Sequence, residues 1–220
     1  TRLYGTAAAK IAVVYPGADP DLRRAGDAAI AAALARYGIT SPYFLYLGTL
    51  QPRKNLVRLV EAFAASGLPA AGHTLVLAGR AGWLAEPLLD AVAALPADVR
   101  ARVVLPGYIA ETEKAALLSG ATALVFPSLY EGFGFPVLEA QACGTPVVCS
   151  NTSSLPEVAG EGALLVDPRD TAALAAALRR VAGDEELRRE LIRAGYANCA
   201  RFTCARAAAQ TLDNLMQAAG

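Results

Sequence analysis

The sequence predicts an α/β fold: a Rossmann-like, doubly wound parallel sheet with helices on both faces. Short apolar runs recur at YFLYLG, TLVLAG, RVVLPG, ALVFPS, PVVCS and ALLVD, most ending in Gly, Pro or Ser, as buried strands do. Between them lie helical patterns beginning near Asn55, Trp83, Glu111, Pro136 and Asp170, and such alternation is the signature of parallel βαβ units. In chain order, IAVVYPGADP followed by an alanine-rich stretch to Gly38 reads as a strand and a helix. The six runs and their helices then build the sheet, and segments beginning near Asp184 and Thr203 read as two closing helices. The expected organisation is a lead-in segment at 1–40, a core at 41–183 and closing helices at 184–220. The alanine stretches 28–35 and 172–177 are helix formers rather than linkers.

At 220 residues and 55% hydrophobic, the chain can bury the core of one large domain. Its 20 basic and 20 acidic residues leave no basic footprint for nucleic acid and no polybasic segment for an anionic membrane. The expected partner is therefore a small molecule. No apolar stretch approaches the ~20 residues of a membrane span, so no transmembrane segment and a cytoplasmic location are expected. Cys143, Cys149, Cys199 and Cys204 show no CxxC spacing and read as reduced thiols. His73 is the only histidine, so neither a metal site nor histidine catalysis is expected. Asp19, Asp21 and Asp27 read as surface charges, and Trp83 as a packing residue.

The stretch YEGFGFPVLEAQACGTPVV carries the chemistry. Glu131 opens a glycine-aromatic loop in which Gly132, Phe133 and Gly134 let backbone amides approach a ligand, and Pro136 suits the first turn of a helix. The helix start would offer its positive end to a diphosphate near Val137 and Leu138, while Glu139 accepts hydrogen bonds from hydroxyls. In PRKN, Arg53 and Lys54 follow the turn at Gly48 and Thr49. Two cations at a helix start oppose its dipole, so an anion is expected beside them. Ligands of doubly wound sheets bind beyond the carboxyl ends of the strands, where all these motifs fall.

These motifs, taken with YLGTLQPRKNLVRLVEAF, LVLAGRAGW, VVLPGYI and GTPVVCSNTSSLPEVAGEGALLVDP in that order, resemble the group 1 (family four) retaining glycosyltransferases from about Ile11 onward. The resemblance implies the nucleotide-sugar-binding, C-terminal half of a GT-B fold, with the N-terminal acceptor domain missing. It implies that Glu139 binds ribose hydroxyls, that Glu131 contacts the donor sugar with help from the amides of Phe133 and Gly134, and that Arg53 and Lys54 stabilise the leaving diphosphate. Tyr108 or the backbone of Ile109, after Gly107, would frame the base, and Arg80 would reach the nucleotide. Many members carry an arginine after the glycine of the first turn where this chain has Thr49. Either Arg53 takes over part of that role, or binding leans on Lys54 and the helix dipole.

The implied function is transfer of a hexose, mannose favoured, from a nucleoside-diphosphate sugar to an acceptor hydroxyl. GDP-mannose or UDP-glucose is the donor, and no cofactor is called for. This segment alone is expected to be inactive, and any membrane attachment would reside in the missing domain. The alternatives are a nucleotide-sugar-binding module without transfer activity, or a nucleotide-sugar epimerase. A phosphorylase would need a lysine for pyridoxal phosphate, and of Lys10, Lys54 and Lys114 the second already fits a phosphate role.

Overall fold

The computed structural model describes residues 5–219. Helix α1 (Asp27–Tyr37) precedes strand β1 (Tyr43–Leu47), followed by α2 (Leu56–Ala65), β2 (Thr74–Ala78), α3 (Glu86–Ala93), the single turn α4 (Ala97–Arg100) and β3 (Val103–Gly107). The second half runs α5 (Glu111–Gly120), β4 (Ala123–Phe126), α6 (Phe135–Ala142), β5 (Val147–Ser150), α7 (Leu155–Ala159), β6 (Ala163–Val166) and α8 (Thr171–Gly183). Helices α9 (Glu185–Cys199) and α10 (Cys204–Ala219) close the chain.

All six predicted strands form, and they pair in parallel in the order β3-β2-β1-β4-β5-β6. The order reverses at β1, whose residues pair with β2 on one edge and with β4 on the other: Phe44 faces both Leu75 and Ala123. This is a doubly wound, Rossmann-like sheet with its topological switch point between β1 and β4. β1, β2, β4 and β5 are almost wholly buried, which is why they read as unbroken apolar runs rather than as alternating ones. The ring of Tyr46 stacks on Phe126 across the switch point, with ring centroids 5.9 Å apart.

The predicted helix starts fall close to the observed ones, with one instructive shift. The helix expected near Trp83 begins only at Glu86, because Leu84 adopts a left-handed φ of 52° that no helix continues. Trp83 itself is 62% exposed rather than packed. The strand expected at IAVV does not form either. Residues 11–19 carry no regular structure; Tyr15 instead meets the Phe202 ring edge-on, and the Ala18 amide donates to the Phe202 carbonyl. An apolar run becomes a strand only where an edge accepts it, and this one is held by the segment between α9 and α10.

Side-chain caps mark the starts of α8 and α9. Asp170 accepts from the Ala173 amide at the start of α8, and Asp184 from the Leu187 amide at the start of α9. Helix α9 then packs on α6 and the turn before β6 so closely that a Cβ on Gly162 would stand 2.7 Å from the Gly195 Cα. A buried amide chain ties this corner: Asn198 donates to Gln141 and to the Val158 carbonyl, and Gln141 donates to the Ala159 carbonyl.

Candidate donor-binding site

The turns that leave β1 and β2 are pressed together. Gly79, at φ 148°, lies so near the first turn that a Cβ would sit 1.9 Å from the Gly48 carbonyl oxygen, and only glycine fits there. Their contact continues as a bridge between Leu50 and Ala81. Beside these turns opens a cleft of about 250 Å3, lined by Gly48, Thr49, Arg80, Tyr108 and Ile109, all five named from the sequence. Arg80 lies over the Tyr108 ring at 4.7 Å, while the Ile109 side chain is buried and leaves only its backbone for a ligand. Leu47 and Gly79, with Glu111 and Lys114 from α5, complete the lining.

Lys114 is the residue that sequence reasoning passed over. Its ammonium contacts Glu111 one turn earlier and lies 2.9 Å from the Glu139 carboxylate on α6. Burial pushes the Lys114 ammonium down, but hydrogen bonds from it to Glu111 and Glu139 outweigh this and hold it above its ordinary value. The Glu139 carboxylate does not line the cleft itself but is held next to it through Lys114.

Lys54 and Glu131 meet across the switch point. Residues Pro52–Lys54 form a tight helical turn, and Asn55 follows in the left-handed conformation, its side chain donating to the carbonyls of Pro127 and Pro168. That anchoring swings Lys54 inward, where its ammonium is buried against the Phe126 ring at 4.9 Å and lies 2.6 Å from Glu131 Oε1. Arg53 pairs with the other carboxylate oxygen at 2.8 Å and donates to the Tyr130 carbonyl, with its side chain still partly in solvent. Burial pushes the Glu131 carboxyl up, yet hydrogen bonds from Lys54 and Arg53 and the proximity of Ser128, which adds to the effect without a well-aligned bond, pull it below its ordinary value. Two cations around one carboxylate leave a net positive charge for an anion.

Gly134, at φ 121°, caps α6, and Pro136 occupies its first turn as expected. Val137 and Leu138 are not brought to the cleft by their side chains. Both are wholly buried, Leu138 against Val158 and Phe202, and the Val137 amide is already donated to the Gly134 carbonyl. Any ligand role for these two residues must run through main chain.

Among the described residues no group of acidic, histidine or cysteine side chains could hold a metal ion, and no helix is long and apolar enough to cross a membrane. All four cysteines are free.

Residues 35–198 match the family model described as glycosyl transferases group 1. The chain belongs to that family. Among the relatives of this group 1 glycosyl transferase is the O-antigen chain mannosyltransferase B of Escherichia coli, 36% identical over 78% of this chain and 45% of its own length. Another is the D-inositol 3-phosphate glycosyltransferase of Acidothermus cellulolyticus, 34% identical over 91% of this chain and 46% of its own. The chain thus spans between about a fifth and about half the length of the curated relatives it matches. Among solved structures, a sucrose-phosphate synthase from Thermosynechococcus elongatus superposes with a TM-score of 0.74 at 29% identity, covering 93% of this chain and 52% of that one. Anabaena HepE, solved with UDP-glucose, reaches 0.86 at 22% identity over 97% and 59%, a likeness of fold. The chain has the six-stranded, Rossmann-like fold of one half of the GT-B architecture.

Proposed function

We propose that this chain is the donor-binding half of a retaining hexosyltransferase, and that it takes the sugar from a nucleoside diphosphate. One observation carries the reading: Arg53, Lys54 and Glu131 form an ionic cluster at the switch point, the place where a doubly wound sheet binds its ligand. Nucleoside and base occupy the cleft between Arg80, Tyr108 and Lys114, and Glu139 accepts hydrogen bonds from the ribose hydroxyls. The diphosphate lies by Arg53 and Lys54, and the sugar against Glu131 and the loop amides of Phe133 and Gly134.

In the transfer, the bond between the anomeric carbon and the phosphate oxygen breaks as the acceptor oxygen bonds to that carbon from the same face. The acceptor proton passes to the departing diphosphate, which needs no protein base. Arg53 and Lys54 stabilise the charge that develops on that leaving group. The acceptor site lies on a domain outside this chain, and the reading carries with it a cytoplasmic location. Mannose from GDP-mannose is the favoured donor, supported by the GTLQPRKN wording and by mannosyltransferase names among the relatives. UDP-glucose is the competitor.

The test is thermal stabilisation by GDP, UDP, ADP, GDP-mannose and UDP-glucose, with Glu139→Ala and Lys54→Ala as controls. A ligand of the folded state adds about 2.7 kcal/mol at a hundredfold excess over its dissociation constant. A shift with one nucleotide series, absent in both variants, names the donor. No shift with any of the five removes the reading for this chain.

A further inference from the structure

The donor loop has no secondary structure of its own between Glu131 and Gly134, and its shape is imposed from the segment Ser153–Leu155 at the start of α7. Four contacts made by three successive residues grip it. The Ser153 hydroxyl accepts the Glu131 amide at 3.1 Å and donates to the Thr152 carbonyl, with Ser153 held at a left-handed φ of 56°. The Ser154 hydroxyl shares its one proton between the Glu131 carbonyl at 3.0 Å and the Phe133 carbonyl at 2.6 Å. Leu155 packs so closely on Gly134 that a Cβ there would stand 2.7 Å from its Cδ2.

The orientation of the carbonyls fixes that of the amides. In a trans peptide the C=O and the following N–H point in opposite directions. With the Glu131 and Phe133 carbonyls both turned toward Ser154, the N–H groups of Gly132 and Gly134 are both directed away from α7. Among the described residues neither amide donates to a backbone or side-chain acceptor. Two parallel donors next to the Glu131 carboxylate suit the hydroxyls of a sugar, or the phosphate that bears it.

We infer that Ser154 is a positioning residue for the donor sugar: its hydroxyl turns two peptide groups of the Glu131–Gly134 loop so that their amides face the ligand together. The inference rests on the donor-binding reading above and deepens it. It concerns the sugar end alone, because the nucleoside end is held by α5 and α6 through Lys114 and Glu139, neither of which touches Ser154.

That separation supplies the test. Ser154→Thr and Ser154→Val have the same shape and differ in the hydroxyl, and Ser154→Ala makes the comparison without added bulk. Affinities are measured by calorimetry for GDP-mannose and UDP-glucose, and in parallel for GMP and UMP, which lack both the transferred sugar and the phosphate that bears it. The expected result is that Ser154→Thr binds the nucleotide sugar as the unaltered chain does. Ser154→Val and Ser154→Ala bind it about tenfold more weakly, as loss of one orienting hydrogen bond predicts. Monophosphate affinity stays the same in all of them. Equal binding of the nucleotide sugar by the Thr, Val and Ala variants overturns the inference, and so does a loss that is equal for sugar and monophosphate. If the unaltered chain binds none of the four nucleotides, the donor-binding reading itself is overturned, and the inference falls with it.

Discussion

The Lys54 ammonium lies 2.6 Å from the Glu131 carboxylate, joining the turn after β1 to the loop after β4 although 77 residues separate them in the chain. Both side chains are largely removed from water. Removing one partner of such a pair strands the other, typically at a cost of 3–5 kcal/mol, whereas replacing both with neutral groups of similar size costs far less. Lys54→Met is therefore expected to lower unfolding free energy by about 3 kcal/mol, the low end because Arg53 still faces Glu131. Lys54→Met with Glu131→Gln should recover much of that loss. Urea denaturation of the two single variants and the double variant measures the coupling.

Acid should reveal the same carboxylate. The folded-state pKa of Glu131 is depressed below its ordinary 4.5. A depressed carboxylate contributes stability that is present above the unfolded value and is lost as pH falls through the folded one. Stability of the unaltered chain should thus decline below about pH 4.5, and Glu131→Gln should flatten part of that decline. Thermal midpoints between pH 3 and 7 give the comparison.

At the nucleoside end, Glu139→Ala is expected to weaken nucleotide binding by roughly 2 kcal/mol, the scale of hydrogen bonds to a charged acceptor. Lys114→Met should cost less, since it removes the group that orients Glu139 and leaves the carboxylate itself. Calorimetry with GDP and UDP checks both. An effect of Lys114→Met larger than that of Glu139→Ala would mean that Lys114 contacts the ligand directly.

Gly79→Ala tests the contact between the two glycine turns. The added Cβ meets the Gly48 carbonyl at 1.9 Å and the backbone is at φ 148°, so both sterics and conformation oppose it. About 3 kcal/mol of destabilisation is expected from overpacking and backbone strain together. Nucleotide affinity should fall as well, because the displaced turn lines the cleft.

The thiols should separate by environment. Burial pushes Cys143 up to about 11 and Cys149 up to about 12, whereas Cys204 is exposed. A maleimide at pH 7 should therefore label Cys204 rapidly and leave Cys143 and Cys149 unmodified while the protein is folded. Mass spectrometry of the labelled peptides decides it.

The strands were legible because each is a short apolar run with a turn residue at its end, and in β1, β2, β4 and β5 burial on both faces makes that run unbroken. The run at Ile11 has the same local signature and no strand, since pairing depends on an available edge, which no local pattern records. In the site, Arg53, Lys54 and Glu131 stand at turns that the pattern marks, and Glu139 in the helix that follows one. Lys114 and Ser154 carry no such mark: one looks like an ordinary helix lysine beside Glu111, the other like a serine before a short helix. Their importance comes from Glu139 and Phe133, 25 and 21 residues away. Val137 and Leu138 were named for the main chain of the helix start, and their side chains face the core.

The order of the strands also bears on how the chain acquires its shape during synthesis. β1 can pair with β2, and β2 with β3, as soon as these emerge, but the other edge of β1 stays open until Phe126 has been made. The donor loop waits longer, since Ser153, Ser154 and Leu155 follow it in the chain. A chain released before β4 would expose the unpaired edge of β1, the kind of edge that recruits other chains, and one released before Leu155 would lack the contacts that shape the donor loop. Ligand binding would come only to molecules that had passed that point.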